Sequence, residues 1–332
     1  MKIPFFIFIS LVLLSCNVEH PDVKPYTFSF VYDSVLNDSS EYIAVIGDIQ
    51  EYMENDDYID YYVSTVNWIL SQHIVKKNIN CILQVGDITN DGSKLQFEKF
   101  RNNTKYISEY IPFIACIGNH DYKWSSKYEI INRKNTLFSE YISFNKTNEL
   151  IVARFEDGRM ENIVLRNRIG GEDVYILVLE FGPRKEVVKW ANDFVRKNRN
   201  VKFILLTHEY LTAKGERIDT DSYAEYQIKN TTISTPEELW QDLVKDNNNI
   251  MCVLCGHNGF SNVLLSENSS KRMVPQILFN LQYQKNGGDG LLQLWEFPEN
   301  SDSVYIKIYN TVSHQWYTDD VVVDKFCFRY KY

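Results

Sequence analysis

The chain has 332 residues, 44% of them hydrophobic and 14% aromatic, enough to bury a sizeable core in one or two domains. Its formal net charge of −9 argues against wrapping nucleic acid by bulk electrostatics, so no nucleic-acid scaffold is expected as a partner. An anionic phosphate substrate remains compatible with that charge, because bound metal ions would supply positive charge locally.

The first sixteen residues carry a distinct signal. Lys2 gives a short basic start, Ile3 to Leu14 is almost wholly apolar, and Leu13-Leu14-Ser15-Cys16 follows. The apolar run is about twelve residues, short of the roughly twenty that a spanning helix needs. It reads as a signal peptide. Its end resembles the bacterial lipobox, in which the cysteine becomes the lipidated first residue of the mature protein. The expected organisation is a signal peptide over 1–15, a polar tether over 16–40 starting at lipidated Cys16, and one domain over 41–332. The protein is then exported and anchored to the bacterial cell envelope through lipid.

Beyond the tether, five apolar runs end in chemically capable residues: Tyr42 to Asp48, Asn80 to Asp87, Ile111 to Asp121, Val201 to His208 and Ile250 to His257. Short apolar runs bounded by turn residues predict buried strands. Helical spacing separates several of them. Ile59 to Lys77 carries Tyr62, Val66, Ile69, Leu70 and Ile74; Ser93 to Glu109 and Arg184 to Lys197 are similar. Thr235 and Pro236 open a further helix as cap and first position. Ile151 to Phe155 and Ile163 to Arg168 predict a hairpin around Asp157-Gly158, and Leu291 to Phe297 and Val304 to Tyr309 predict late strands. Alternating strands and helices imply an α/β fold, with functional groups at the carboxyl ends of strands.

After Cys16 the cysteines are Cys81, Cys116, Cys252, Cys255 and Cys327. All but Cys327 lie in apolar strand-like runs, as buried thiols do. Cys252 and Cys255 fall on one predicted strand with side chains on opposite faces, which argues against a zinc pair.

Two divalent metals on a phosphate require carboxylates, imidazoles and an amide oxygen converging in one place, with one carboxylate shared. The strand ends supply Asp48 and Gln50, then Asp87, then Asn119 and His120, then His208, then His257, and three of these are among the chain's six histidines. Gly47-Asp48-Ile49-Gln50, Gly86-Asp87, Gly118-Asn119-His120-Asp121, His208 and Gly256-His257 resemble, in order and spacing, the five blocks of calcineurin-like metallophosphoesterases. The resemblance implies a four-layer α/β/β/α sandwich of two mixed β-sheets flanked by helices. It also implies roles. Asp48 binds a first metal with Gln50, Asp87 bridges both, and Asn119, His208 and His257 complete the second. A metal-bound hydroxide attacks phosphorus, His120 acts as acid, and Asp121 orients His120. The substrate is a phosphorylated small molecule or envelope component.

Two positions depart from the family pattern. Gln50 stands where the first block usually has histidine, and Gly259 where the last block usually ends in histidine. The first site therefore offers oxygen ligands, with Asn90 a further candidate, and suits hard ions such as Mg²⁺ or Mn²⁺. The second keeps two imidazoles and suits Zn²⁺, Mn²⁺ or Fe²⁺. One tight and one weak ion are expected. The competing reading is a weakly active or non-catalytic lipoprotein that binds a phosphorylated ligand through one retained metal.

Overall fold

The computed structural model describes residues 23–125, 130–220, 222–229, 231–319 and 322–332. Cys16 and the expected signal peptide lie outside the described residues. Two large mixed sheets organise the chain. In the first, Ser40–Ile46, Ile79–Gln84 and Phe113–Ala115 run parallel, and the late hairpin Leu291–Pro298 and Ser303–Asn310 extends the sheet antiparallel from Ser40–Ile46. In the second, Glu172–Val178, Lys202–Leu206, Ile250–Cys255 and Met273–Asn280 run parallel, with antiparallel strands at both edges.

Side-chain alternation explains the layering. On Lys202–Leu206, Ile204 and Leu206 point into the core shared by both sheets, whereas Phe203 and Leu205 point into a second core. That second core lies under the helix Lys185–Lys197 and the segment Pro236–Val244. Cys252 faces the first core and Cys255 the second, both as free thiols, so the opposed placement expected of them holds. Against the first sheet packs Ile59–Lys76, which buries Tyr62, Val66, Ile69 and Leu70 and ends at left-handed Lys77. Ile74, expected on the same stripe, is exposed. The result is the α/β/β/α sandwich.

Local signals account for the boundaries. Thr235 closes a capping box, its Oγ1 accepting from the Glu238 amide while the Glu238 carboxylate accepts from the Thr235 amide, with Pro236 at the first position. The hairpin Ile151–Arg154 and Ile163–Leu165 forms as expected, with Gly158 left-handed between its strands. The helix expected over Ser93–Glu109 instead ends at Thr104, and a short 3₁₀ turn covers Ile107–Glu109.

The segment 23–39 differs from the expected free tether. Val23, Tyr26 and Leu36 are buried. The Tyr26 hydroxyl donates to Asn67 Oδ1 at 2.6 Å, and Trp68 Nε1 donates to Asp33 Oδ2 at 2.8 Å. Hidden apolar side chains and paired buried donors make this stretch part of the domain. Among the described residues, no helix is long and apolar enough to cross a membrane.

Candidate metal centre

The parallel strands of each sheet end on one edge, so the five motif loops converge there. Asp48, Gln50, Asp87, Asn119, His208 and His257 come together, and His120 stands beside them. Two of these residues sit in left-handed backbone, Asp87 at φ 52° and His257 at φ 69°. Such conformations cost roughly 1–3 kcal/mol each and cluster at functional sites. Two glycines make room. A Cβ on Gly118 would meet Asp87 Oδ1 at 2.1 Å, and one on Gly256 would meet Asp48 Oδ1 at 2.3 Å.

The donor atoms are aimed by hydrogen bonds. His208, fully buried, places Nδ1 2.7 Å from the Val85 carbonyl, which fixes that nitrogen as the N–H donor. Its Nε2 then faces Asp87 Oδ1 and Asn119 Oδ1, each at 3.2 Å. His257 Nδ1 lies 3.0 Å from the same Asn119 oxygen. Oxygens around a bare imidazole lone pair repel it, and a proton or a metal ion between them relieves the repulsion. Ligand atoms of Asp87, His208 and His257 lie within 4.8 Å of one another.

The titration behaviour agrees. Burial opposes the His208 cation, but Asp87 and then Asp48 outweigh burial and push it up to about 10. Burial and then His208 push His257 down to about 3, leaving it neutral with a lone pair to offer. Burial also opposes the Asp87 charge, yet His208 and His120 hold its carboxyl well below the usual carboxylate range. Asp48 is raised by burial, with His208 opposing and Asp87 adding to the rise. Metal-free, the site pairs the Asp87 carboxylate with a proton on His208 that a cation would displace.

The oxygen-rich half has its own signature. Gln50 Nε2 donates weakly to Asp87 Oδ2 at 3.4 Å, while its buried Oε1 has no hydrogen-bond partner among the described residues. An orphaned buried carbonyl oxygen on a side chain that contacts Asp87 fits a cation ligand. The donor set thus fits two divalent ions. Asn90, the further candidate, contributes its backbone carbonyl to His120 Nδ1 at 2.7 Å.

Asp121 requires a correction. Its Oδ1 accepts from the Thr89 amide and hydroxyl, and its Oδ2 from the Gly118 amide. The His120 ring is held at Nδ1 by Asn90, not by Asp121. A fully buried carboxylate satisfies backbone donors, so Asp121 braces the loops that carry Asp87 and His120. Gly259 is likewise explained. Its φ lies outside the left-handed range, but a Cβ there would meet the Tyr283 ring at 2.6 Å. An aromatic ring fills the space beside Gly259.

The structure adds residues that sequence reasoning missed. Asn280 Nδ2 donates to Asp48 Oδ2 at 2.6 Å and to the His257 carbonyl at 3.1 Å. Glu209, buried, accepts from Ser222 Oγ and the Tyr223 amide and lies 3.9 Å from His257 Nε2. Phe181 packs its ring 5.9 Å from both His208 and His257. Asn280 ends an apolar strand run but lacks the Gly-Asp, Gly-Asn-His or His that marks the other strand ends.

Fold and site together are those of a two-sheet sandwich with a cluster of metal-type ligands at its strand ends. The chain belongs to the calcineurin-like phosphoesterase family, whose model matches residues 42–332. It is similar to the uncharacterized protein YvnB of Bacillus subtilis (strain 168), 25% identical over 280 residues that span 80% of this chain and 19% of YvnB. It is also similar to a probable glycerophosphodiester phosphodiesterase, GpdQ, of Arcobacter nitrofigilis, 25% identical over 200 residues, 60% of this chain and 63% of GpdQ. The chain therefore spans less than two thirds of the length of either relative. Among solved structures, purple acid phosphatase PPD1 from yellow lupin (Lupinus luteus) superposes with a TM-score of 0.51 at 12% identity, over 92% of this chain and 56% of that one, and shares the fold.

Proposed function

We propose that this protein hydrolyses a phosphate monoester or diester at two divalent metal ions, outside the cytoplasm. The convergence of Asp87, His208 and His257 ligand atoms at the strand ends carries this reading. Asp48, Gln50 and Asp87 would hold one ion, and Asp87, Asn119, His208 and His257 the other. When bound, such ions neutralise phosphate charge and acidify water.

The protein's own groups do the rest. Asp87 lies between both ligand sets, with its Oδ1 fixed by the His120 amide at 3.0 Å. The Val85 carbonyl holds the His208 tautomer, so Nε2 stays directed at the centre. His120, hydrogen-bonded at Nδ1 to a carbonyl, would give a proton to the leaving oxygen through Nε2. Asp121, through Thr89 and Gly118, keeps Asp87 and His120 in register. The first ion is the weaker one, because Gly259 and Tyr283 replace an imidazole ligand.

Export rests on the N-terminal sequence. Cys16 carries the lipid, and six residues separate it from Val23, so the folded domain lies within about 25 Å of the anchor point. Cys16→Ser should release the protein from the membrane fraction; unmodified Cys16 in the mature protein, seen by mass spectrometry, would refute the anchor. The activity is tested with a panel of phosphomonoesters and diesters. Turnover should vanish after chelation and return with Mn²⁺. Absence of turnover on every ester with every divalent metal favours the binding-only reading.

A further inference from the structure

The rim of the metal centre carries groups that metal binding does not use. Tyr223 sets its ring edge-on to His257, with centroids 5.1 Å apart and planes at 71°, yet is 53% exposed. Tyr283, 71% exposed, lies over Gly259, two residues beyond His257. Large aromatic rings left open to water beside a buried polar centre lose apolar burial, which a ligand would recover. The third group is Glu51, directly after Gln50 on the short helix Gln50–Glu54. A Cβ on Gly287 would meet Glu51 Cβ at 2.9 Å, so Glu51 packs against the turn that follows Tyr283. Burial, and then the charges of Asp48, Asp87 and Glu51, push the Tyr283 hydroxyl above its ordinary value. Among the described residues, no hydrogen bond or ion pair reaches the Glu51 carboxylate.

Two π faces and an unpaired carboxylate form the chemistry that recognises an organic cation. Aromatic faces attract ammonium groups through their quadrupole, most strongly when water is excluded, and a carboxylate supplies the counter-charge. An anionic leaving group would be repelled by Glu51, and a neutral one would leave the carboxylate unused.

Building on the hydrolase reading above, we propose that Tyr223, Tyr283 and Glu51 form a subsite for the ammonium group of an amino-alcohol leaving group, making phosphoesters of choline-like alcohols the preferred substrates. In that reaction the P–O bond to the amino alcohol breaks. Water gives its oxygen to phosphorus, and the leaving alkoxide takes a proton. A soluble ester and a lipid headgroup share this chemistry.

The test compares two isosteric esters on the full metal-loaded chain: 2-(trimethylammonio)ethyl phosphate and its neutral counterpart 3,3-dimethylbutyl phosphate. The charged ester should show at least about a tenfold higher kcat/KM. Tyr283→Leu and Glu51→Gln should each shrink that ratio severalfold. A ratio within twofold in the wild type, or one unmoved by both substitutions, overturns the proposal. If neither ester is hydrolysed, turnover on the wider ester panel shows whether the hydrolase reading itself fails. Calorimetric binding of the two intact esters then decides the subsite, equal affinities refuting it and preference for the cation upholding it. Phosphatidylcholine vesicles serve as a second arm: release of headgroup marks a lipid source, and hydrolysis of the soluble ester alone marks a free one.

Discussion

Asp87 and His120 are neighbours with separable duties. Asp87 touches both ligand sets, whereas His120 meets Asp87 through its backbone amide and has its ring held at Nδ1 by the Asn90 carbonyl. Asp87→Ala should therefore remove most bound metal and essentially all turnover. His120→Ala should keep the metal while slowing turnover by roughly 10²–10⁴-fold. Elemental analysis beside initial rates checks both, and the reverse pattern would invert the roles. His208 adds a pH dependence. Its folded value of about 10 exceeds the ordinary 6.5, so in metal-free protein its stabilising contribution is complete below 6.5 and is lost as pH rises through 10. Asp121, raised to about 7 by burial and then by Asp87, slopes the same way: its contribution is lost as pH climbs from the ordinary carboxylate value through 7. A metal must displace the His208 proton, so apparent metal affinity should climb by up to about tenfold per pH unit until about pH 10. At fixed Mn²⁺, the gain in Tm over chelated protein should be larger at pH 8.5 than at pH 6. A gain that is flat or falls with pH would contradict the assignment of His208 as a ligand.

Among the elements, the strands that end in ligands were legible because an apolar run followed by Gly-Asp, Gly-Asn-His or His is a local signal. Glu172–Val178 lacks that signal: Leu179-Glu180 follows it, and it supplies none of the proposed metal ligands. Asn280 and Tyr283 escaped for a different reason. Asn280 meets Asp48 across 232 residues of sequence, and Tyr283 matters only because it fills space beside Gly259. No periodicity encodes such a juxtaposition. Segment 23–39 follows no helical period, although about half of its residues are apolar; Val23, Tyr26 and Leu36 are buried, and its Asp33 works as a latch. Asp33 Oδ2 accepts from Trp68 Nε1 at 2.8 Å and from the Tyr309 hydroxyl at 2.5 Å, both on fully buried side chains. Asp33→Ala should cost about 1–3 kcal/mol, because two buried donors lose their acceptor. Urea unfolding reads the loss, with metal content unchanged. A loss under about 0.5 kcal/mol would mean that this segment is loosely held after all.

For the whole molecule, the two-sheet sandwich brings loops from both sheets to one edge, and neither sheet alone supplies a complete ligand set. Asp48, Asp87 and Asn119 come from the first sheet, His208 and His257 from the second. Metal binding therefore ties the sheets together, and chelation should loosen the molecule as well as silence it. The two halves of the centre differ in kind, one with two imidazoles and one made of oxygens beside a glycine. Titrating Mn²⁺ into metal-free protein while following hydrolysis of a phosphoester separates them. Two binding events are expected, a tight one and a weak one, with turnover absent in chelated protein and rising as the weak site fills. Turnover that persists in fully chelated protein, or that is complete after a single ion, would contradict a two-metal centre built around Asp87.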